Sequence, residues 1–138
     1  MRLDNLPFTI VWNKFTDKNF TDEFLKKYKT KQWKITKEAI EDSLIRIHNL
    51  QDTQQLDSIR SMDGYGIYKL DFKIAGTNES PKSSGNRAIL FVDNHFHIVT
   101  ILLVYHKNNI KKNQKETVWW EIIIKENFGE FWHKIIAN

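Results

Sequence analysis

Lys69, Lys73, Arg87, His106 and Lys107 bring cationic or titratable nitrogens into the run from Tyr65 to Lys107, beside the phenol of Tyr105. Lysine and arginine can offset charge that develops on a phosphate, and tyrosine and histidine can move protons. A sheet that carries several cations and few acids suits a polyanion, with RNA as the first partner implied. Each residue also has an ordinary reading. Arg87 can be a solubilising charge at a strand edge, and Lys69 and Lys73 can flank Asp71 in an exposed charge ladder.

Other chemistries find less support. There is no cysteine, which removes thiol catalysis, disulfides and thiolate zinc sites together. His95 and His97 could ligate a metal from one face of a strand, but no third ligand stands at a recognisable spacing, and solvated turn-flanking residues are the simpler reading. No metal or other cofactor is expected. The five glycines are scattered and form no phosphate-binding loop. No serine sits in an elbow motif, and the acids are dispersed over predicted helix surfaces. His48 and His133 fall within helical patterns and read as surface or packing residues.

The elements that would position these groups can be read from periodicity. Tyr68, Leu70, Phe72 and Ile74 alternate with Ile67, Lys69, Asp71 and Lys73, so the two lysines should share the outward face of a strand. A turn-rich loop, AGTNESPKSSG, leads to a second strand from Arg87 to Val92. A tight turn at Asp93-Asn94 then pairs Val92 with His95 and sets Arg87 opposite Thr100, six residues from His106. At about 3.4 Å per residue that separation is on the order of 20 Å. The third strand, His95 to Tyr105, is apolar on both faces and should lie centrally, covered on both sides.

Before this meander, Phe8–Trp12 reads as a strand and Thr16–Tyr28 as a helix, with Phe20, Phe24 and Tyr28 on one stripe. A polar link, KTKQWKI, leads to a second helix from an N-cap at Thr36 to about Leu50. Residues 51–64 read as irregular. After Lys107 come Lys111, Lys112 and Lys115, with no acid before Glu116. Trp119, Trp120, Ile123, Ile124, Phe128, Phe131, Trp132, Ile135 and Ile136 then recur at helical spacing, in one helix bent at Gly129 or in two. That apolar face is wide enough to belong mostly to the core.

The expected fold class is α+β: a small, mostly antiparallel twisted sheet (strand, two helices, three-strand meander) with a C-terminal helical segment. At 138 residues and 41% hydrophobic content, the chain fits one domain spanning 1–138. The net charge of +4 is a modest basic excess. No membrane-spanning run or signal peptide is visible, so a cytoplasmic protein without membrane contact is expected.

The order of elements, with Tyr68-Lys69-Leu70, Gly85-Asn86-Arg87-Ala88-Ile89-Leu90 and Ile101-Leu102-Leu103-Val104-Tyr105-His106-Lys107, resembles the RelE/ParE superfamily of bacterial toxins. The resemblance covers most of the chain through short motifs. It implies the toxin of a toxin–antitoxin pair, neutralised by a cognate antitoxin. Its RelE branch implies metal-independent cleavage of mRNA through the ribose 2′-OH, often at the ribosome. By position, Lys69, Arg87, His106 and Lys107 would be the catalytic set, and Lys73, Tyr105, Lys111 and Lys112 would contact RNA. The alternatives are a ParE-like inhibitor of DNA gyrase and a RelE-fold binding protein without activity. The sequence departs from the pattern in its long loop from Ala75 to Asn86 and in having no tyrosine after Lys107.

Overall fold

The structure is a computed structural model that describes residues 6–14, 26–50, 53–110 and 114–135. Five strands form one sheet in the order β1-β5-β4-β3-β2. They are β1 (Thr9–Trp12), β2 (Leu56–Met62), β3 (Tyr65–Phe72), β4 (Asn86–Asp93) and β5 (Ile98–His106). β1 runs parallel to β5, and the other pairings are antiparallel. The fold is therefore α+β with a mixed sheet, and the meander has four strands rather than three.

The added strand is β2, in the segment expected to be irregular. Its side chains are exposed from Asp57 to Ser61, so no buried face imposes a period of two on the sequence. A bulge between Ser58 and Arg60 distorts this edge strand, which discourages further strand pairing.

Helix α1 (Thr30–Ile45) covers one face of the sheet. It begins within the expected polar link, so Thr36 lies inside the helix and is buried rather than capping it. The Thr36 hydroxyl donates to the Gln32 carbonyl at 2.8 Å and accepts from the Ala75 amide at 2.8 Å. It thereby ties the chain leaving β3 to the helix. Ile47–Leu50 continues as a 3-10 turn. The helix expected over Thr16–Tyr28 lies mostly outside the described residues, and 26–28 form a turn.

Trp33, Ile40 and Leu44 of α1 pack with Leu70, Phe72, Ala88, Leu90, Val92, Val99, Ile101 and Val104 in one apolar layer. The opposite layer joins Ile67, Ile89, Phe91, Leu102, Leu103 and Tyr105 to Trp120, Ile124, Phe128, Trp132 and Ile135. Of the last five, Trp120 and Ile124 come from α3 (Glu116–Asn127), Trp132 and Ile135 from α4 (Gly129–Ile135), and Phe128 from the junction between them. Among the described residues the wide C-terminal apolar face is thus mostly core, Ile136 lying outside them, and β5 is an interior strand, between β1 and β4 and covered on both sides.

The β4–β5 register differs from the expected one for two reasons. The connection is a four-residue loop, Asn94–His97, with Asp93 paired to Ile98. Asp93 Oδ1 accepts from the amides of His95 at 2.8 Å and Phe96 at 3.1 Å, which holds the loop in place of a two-residue turn. A bulge then places Leu102 as an extra residue between Ile101, opposite Leu90, and Leu103, opposite Ile89. Because side chains alternate faces, one extra residue reverses the face of everything after it. Tyr105 is delivered to the α3 side, opposite Arg87, and His106 to the α1 side, opposite Asn86.

Candidate functional site: a paired arginine at the sheet end

Asp71, Arg87 and Tyr105 form one row across β3, β4 and β5. Their shared face is the one that α3 and α4 cover. Glu116, the first residue of α3, descends onto this row. Tyr105 donates its phenol to Glu116 Oε2 at 2.5 Å, and Arg87 Nε lies 3.2 Å from the same oxygen. Asp71 Oδ1 is 3.4 Å from Arg87 Nε on the other side. The Arg87 side chain keeps 15% of its exposure and that of Asp71 only 8%. Neither Asp71 Oδ1 nor Arg87 Nε reaches good hydrogen-bond geometry, so the contact is mainly an ion pair.

Each shift in this network has a physical cause. Burial raises the Tyr105 phenol far above its ordinary value, and its bond to Glu116 and that residue's charge add to the effect. Burial also raises the Asp71 carboxyl, with Arg87 and Lys69 opposing. Tyr105 consequently stays a neutral donor at neutral pH. Tyr105, expected to contact RNA, is instead buried with its phenol proton donated to Glu116, a geometry that also leaves no proton to transfer.

The Gly85 carbonyl joins the arginine to the end of β5. It accepts from the Lys107 amide at 2.9 Å and from Arg87 Nη1 at 3.4 Å. Arg87 therefore lies beside the 106–107 segment, which corrects the expected 20 Å separation. The turn of helix α2 (Pro81–Ser84) inside the long loop makes this possible. Ser84 Oγ donates to the Phe72 carbonyl at 2.5 Å and accepts from the Asn86 amide at 3.1 Å, and Gly85 closes the turn with φ +79°. A Cβ at Gly85 would stand 2.8 Å from His106 Nε2, so the site requires glycine on two counts.

His106 faces away from Arg87. Its Nε2 lies 3.0 Å from the Ser84 carbonyl, and its Nδ1 accepts from the Asn108 amide at 3.0 Å. These partners assign the proton to Nε2 and engage both ring nitrogens. These contacts fasten the ring to the 3-10 turn Lys107–Asn109 and to the end of helix Pro81–Ser84.

The other sequence-derived candidates are dispersed. Lys69 shares the Arg87 face and pairs with Asp57 at 3.7 Å. Lys107 is exposed at the sheet end. Lys73 is exposed just beyond the end of β3, where it lines a shallow pocket with Thr36, Ile40 and Gln55. Lys111 and Lys112 lie outside the described residues. The acids, dispersed in the sequence, do not all stay apart in the fold: Asp71 and Glu116 both close on Arg87. The position of Asp71 between Lys69 and Lys73 was a signal, whereas nothing local marked Glu116.

Among the described residues no group of His, Asp and Glu has metal-binding geometry, and no helix is long and apolar enough to cross a membrane.

No protein-family model matches the sequence, and no curated protein matches it. A solved chain from the archaeal RelE–RelB complex of Pyrococcus horikoshii OT3 is similar over 76% of this chain and 100% of that chain. The identity is 8% and the TM-score 0.49. A likeness of that degree assigns no family.

Proposed function

We propose that this chain is the toxin of a toxin–antitoxin pair and a RelE-type, metal-independent endoribonuclease acting on mRNA, with a cognate antitoxin as its protein partner. The observation that supports this reading is the fixed guanidinium of Arg87. Its Nε faces Asp71 and Glu116 and its Nη1 the Gly85 carbonyl, which leaves Nη2 without a hydrogen-bond partner among the described residues. Lys107 stands next to it, tied by its amide to that same carbonyl. A phosphate at the sheet end is, in this reading, bound by Nη2 and reached by the long, exposed Lys107 side chain.

In this reading the ribose 2′-hydroxyl gives its proton to solvent water as its oxygen attacks the adjacent phosphorus. The bond to the 5′-oxygen breaks as that oxygen takes a proton from water. The products are a 2′,3′-cyclic phosphate and a 5′-hydroxyl. Arg87 and Lys107 stabilise the charge that gathers on the phosphate oxygens, a task to which a preorganised cation such as Arg87 is suited. Lys69 contributes from the β3 side. His106 and Tyr105 are positioning residues: the first holds the turn that presents Lys107, and the second holds Glu116 against Arg87.

The same hydrogen bonds favour a second reading. With both ring nitrogens of His106 and the proton of Tyr105 engaged, the site could hold a polyanion without cleaving it, as a RelE-fold binding protein would. Incubating the purified protein with RNA in excess chelator separates the two. Cleavage products with cyclic-phosphate and 5′-hydroxyl ends support the nuclease, and binding without cleavage supports the alternative.

A further inference from the structure

A second group of cations lies on the Arg87 face, toward the opposite end of the sheet. Arg60 of β2 and Lys125 of α3 stand over the ring of Trp132, at 5.2 and 5.0 Å from its centroid. Lys134 of α4 stands 5.2 Å from the Tyr65 ring and 6.0 Å from that of Phe91. All three cations are exposed, whereas Trp132 is buried beneath its pair. None of the three forms an ion pair with a described carboxylate.

That arrangement is unlike the Arg87 row. A ring face attracts a cation but does not neutralise it, so the charges remain available to an anion. Two of them are tied to one indole, which holds like charges together at some electrostatic cost. Their stems cover the buried aromatics, while their heads remain in solvent.

Tyr65 and Asp71 mark the two ends of this face along β3, separated by six residues, or about 20 Å at the rise of an extended strand. Lys69 stands between them, on the margin next to β2. Cations are thus spaced along one side of the sheet, from Lys134 and Arg60 past Lys69 to Arg87. Such spacing fits an extended chain of phosphates better than a single compact anion. The aromatics are already covered, so they are not free to stack on bases. Contact here should follow the backbone and be indifferent to sequence.

We infer that Arg60, Lys125 and Lys134 form a backbone-contact surface for single-stranded RNA, holding the strand that enters or leaves the Arg87 site. This rests on the reading of the protein as one that acts on RNA. It requires binding at a place distant from cleavage, and the two can therefore fail separately.

The test is anisotropy titration of a 2′-O-methyl RNA oligonucleotide, which lacks the nucleophile and cannot be cut, across a range of salt concentrations. The proteins compared are the wild type, the variant Arg60→Gln/Lys125→Gln/Lys134→Gln, and the charge-retaining Arg60→Lys/Lys125→Arg/Lys134→Arg. Each single-strand phosphate contact contributes about 0.7 to the slope of log K against log salt, so the glutamine variant should lose about 2 from that slope. The charge-retaining variant should keep it. No binding by the wild type overturns the inference, as does an unchanged slope in the glutamine variant. Equal losses in both variants overturn it too, by assigning the effect to packing over Trp132. Normal binding of this oligonucleotide by a protein that never cuts natural RNA would leave the surface standing and sink only the nuclease.

Discussion

Arg87 lies directly opposite Tyr105 across the β4–β5 ladder, and Glu116 contacts both, at 3.2 Å and 2.5 Å. The residue most readily cast as a phosphate ligand is therefore also an internal fastener between the sheet and α3. Its substitution should affect folding and function together.

Replacing Arg87 with alanine would leave Asp71 and Glu116 facing each other without the intervening cation. Removing one member of a fully buried charge pair costs about 3–5 kcal/mol, and with Glu116 a quarter exposed a loss below that range is expected here in urea unfolding. Asp71→Asn in the same chain should restore part of it, because one of the two orphaned charges is gone. An Arg87→Ala protein as stable as the wild type would show that the network carries no structural weight.

Lys107 offers the opposite case. It is exposed and makes no described ion pair, so Lys107→Ala should change stability by no more than about 0.5 kcal/mol. RNA cleavage should nonetheless fall by roughly 10²- to 10³-fold, the usual loss when one preorganised charge-stabilising group is removed. Initial rates on a fixed oligonucleotide check this. Unchanged rates would remove Lys107 from the site.

Gly85→Ala should destabilise by about 1–3 kcal/mol through its left-handed φ and its approach to the His106 ring. Adding His106→Ala removes the collision but not the backbone strain, so the double variant should recover only part of the loss. Thermal unfolding of the four proteins decides this. Full recovery would mean that the conformation itself is cost-free.

Asp71 makes the stability of the protein depend on pH in a stated direction. Its carboxyl is raised in the fold, chiefly by burial, so the native state holds the proton more tightly than the unfolded chain. This contribution is present at low pH and is lost as pH rises from the ordinary carboxyl range through the raised native value. Asp71→Asn should flatten that part of the profile when urea midpoints are compared from about pH 3 to pH 7. Superimposable profiles would contradict the assignment.

How much of this could be read from the sequence follows from which features have a local signature. The alternation of Tyr68, Leu70 and Phe72 marks β3 because one face meets the α1 layer. Leu102 and Leu103 make β5 look apolar on both faces, which it is, but part of that pattern is a bulge rather than a change of environment. Periodicity does not count residues in a turn. The four-residue loop and the bulge were therefore invisible, and with them the meeting of Arg87 and Tyr105. Strand β2 has almost no buried side chain to betray it. Thr36 resembles a cap because its hydroxyl does seek backbone partners, but it finds them from within the helix. Glu116 joins the site only once α3 folds back over the sheet, a long-range event that no spacing near Arg87 announces.

Whether the sheet end cuts RNA is decided by mapping transcript 5′ ends after induced expression. A nuclease gives growth arrest with new 5′ ends within coding sequences, which disappear in Lys107→Ala at unchanged protein level. Arrest with intact transcripts and altered DNA supercoiling, or no arrest at all, rules RNA cleavage out.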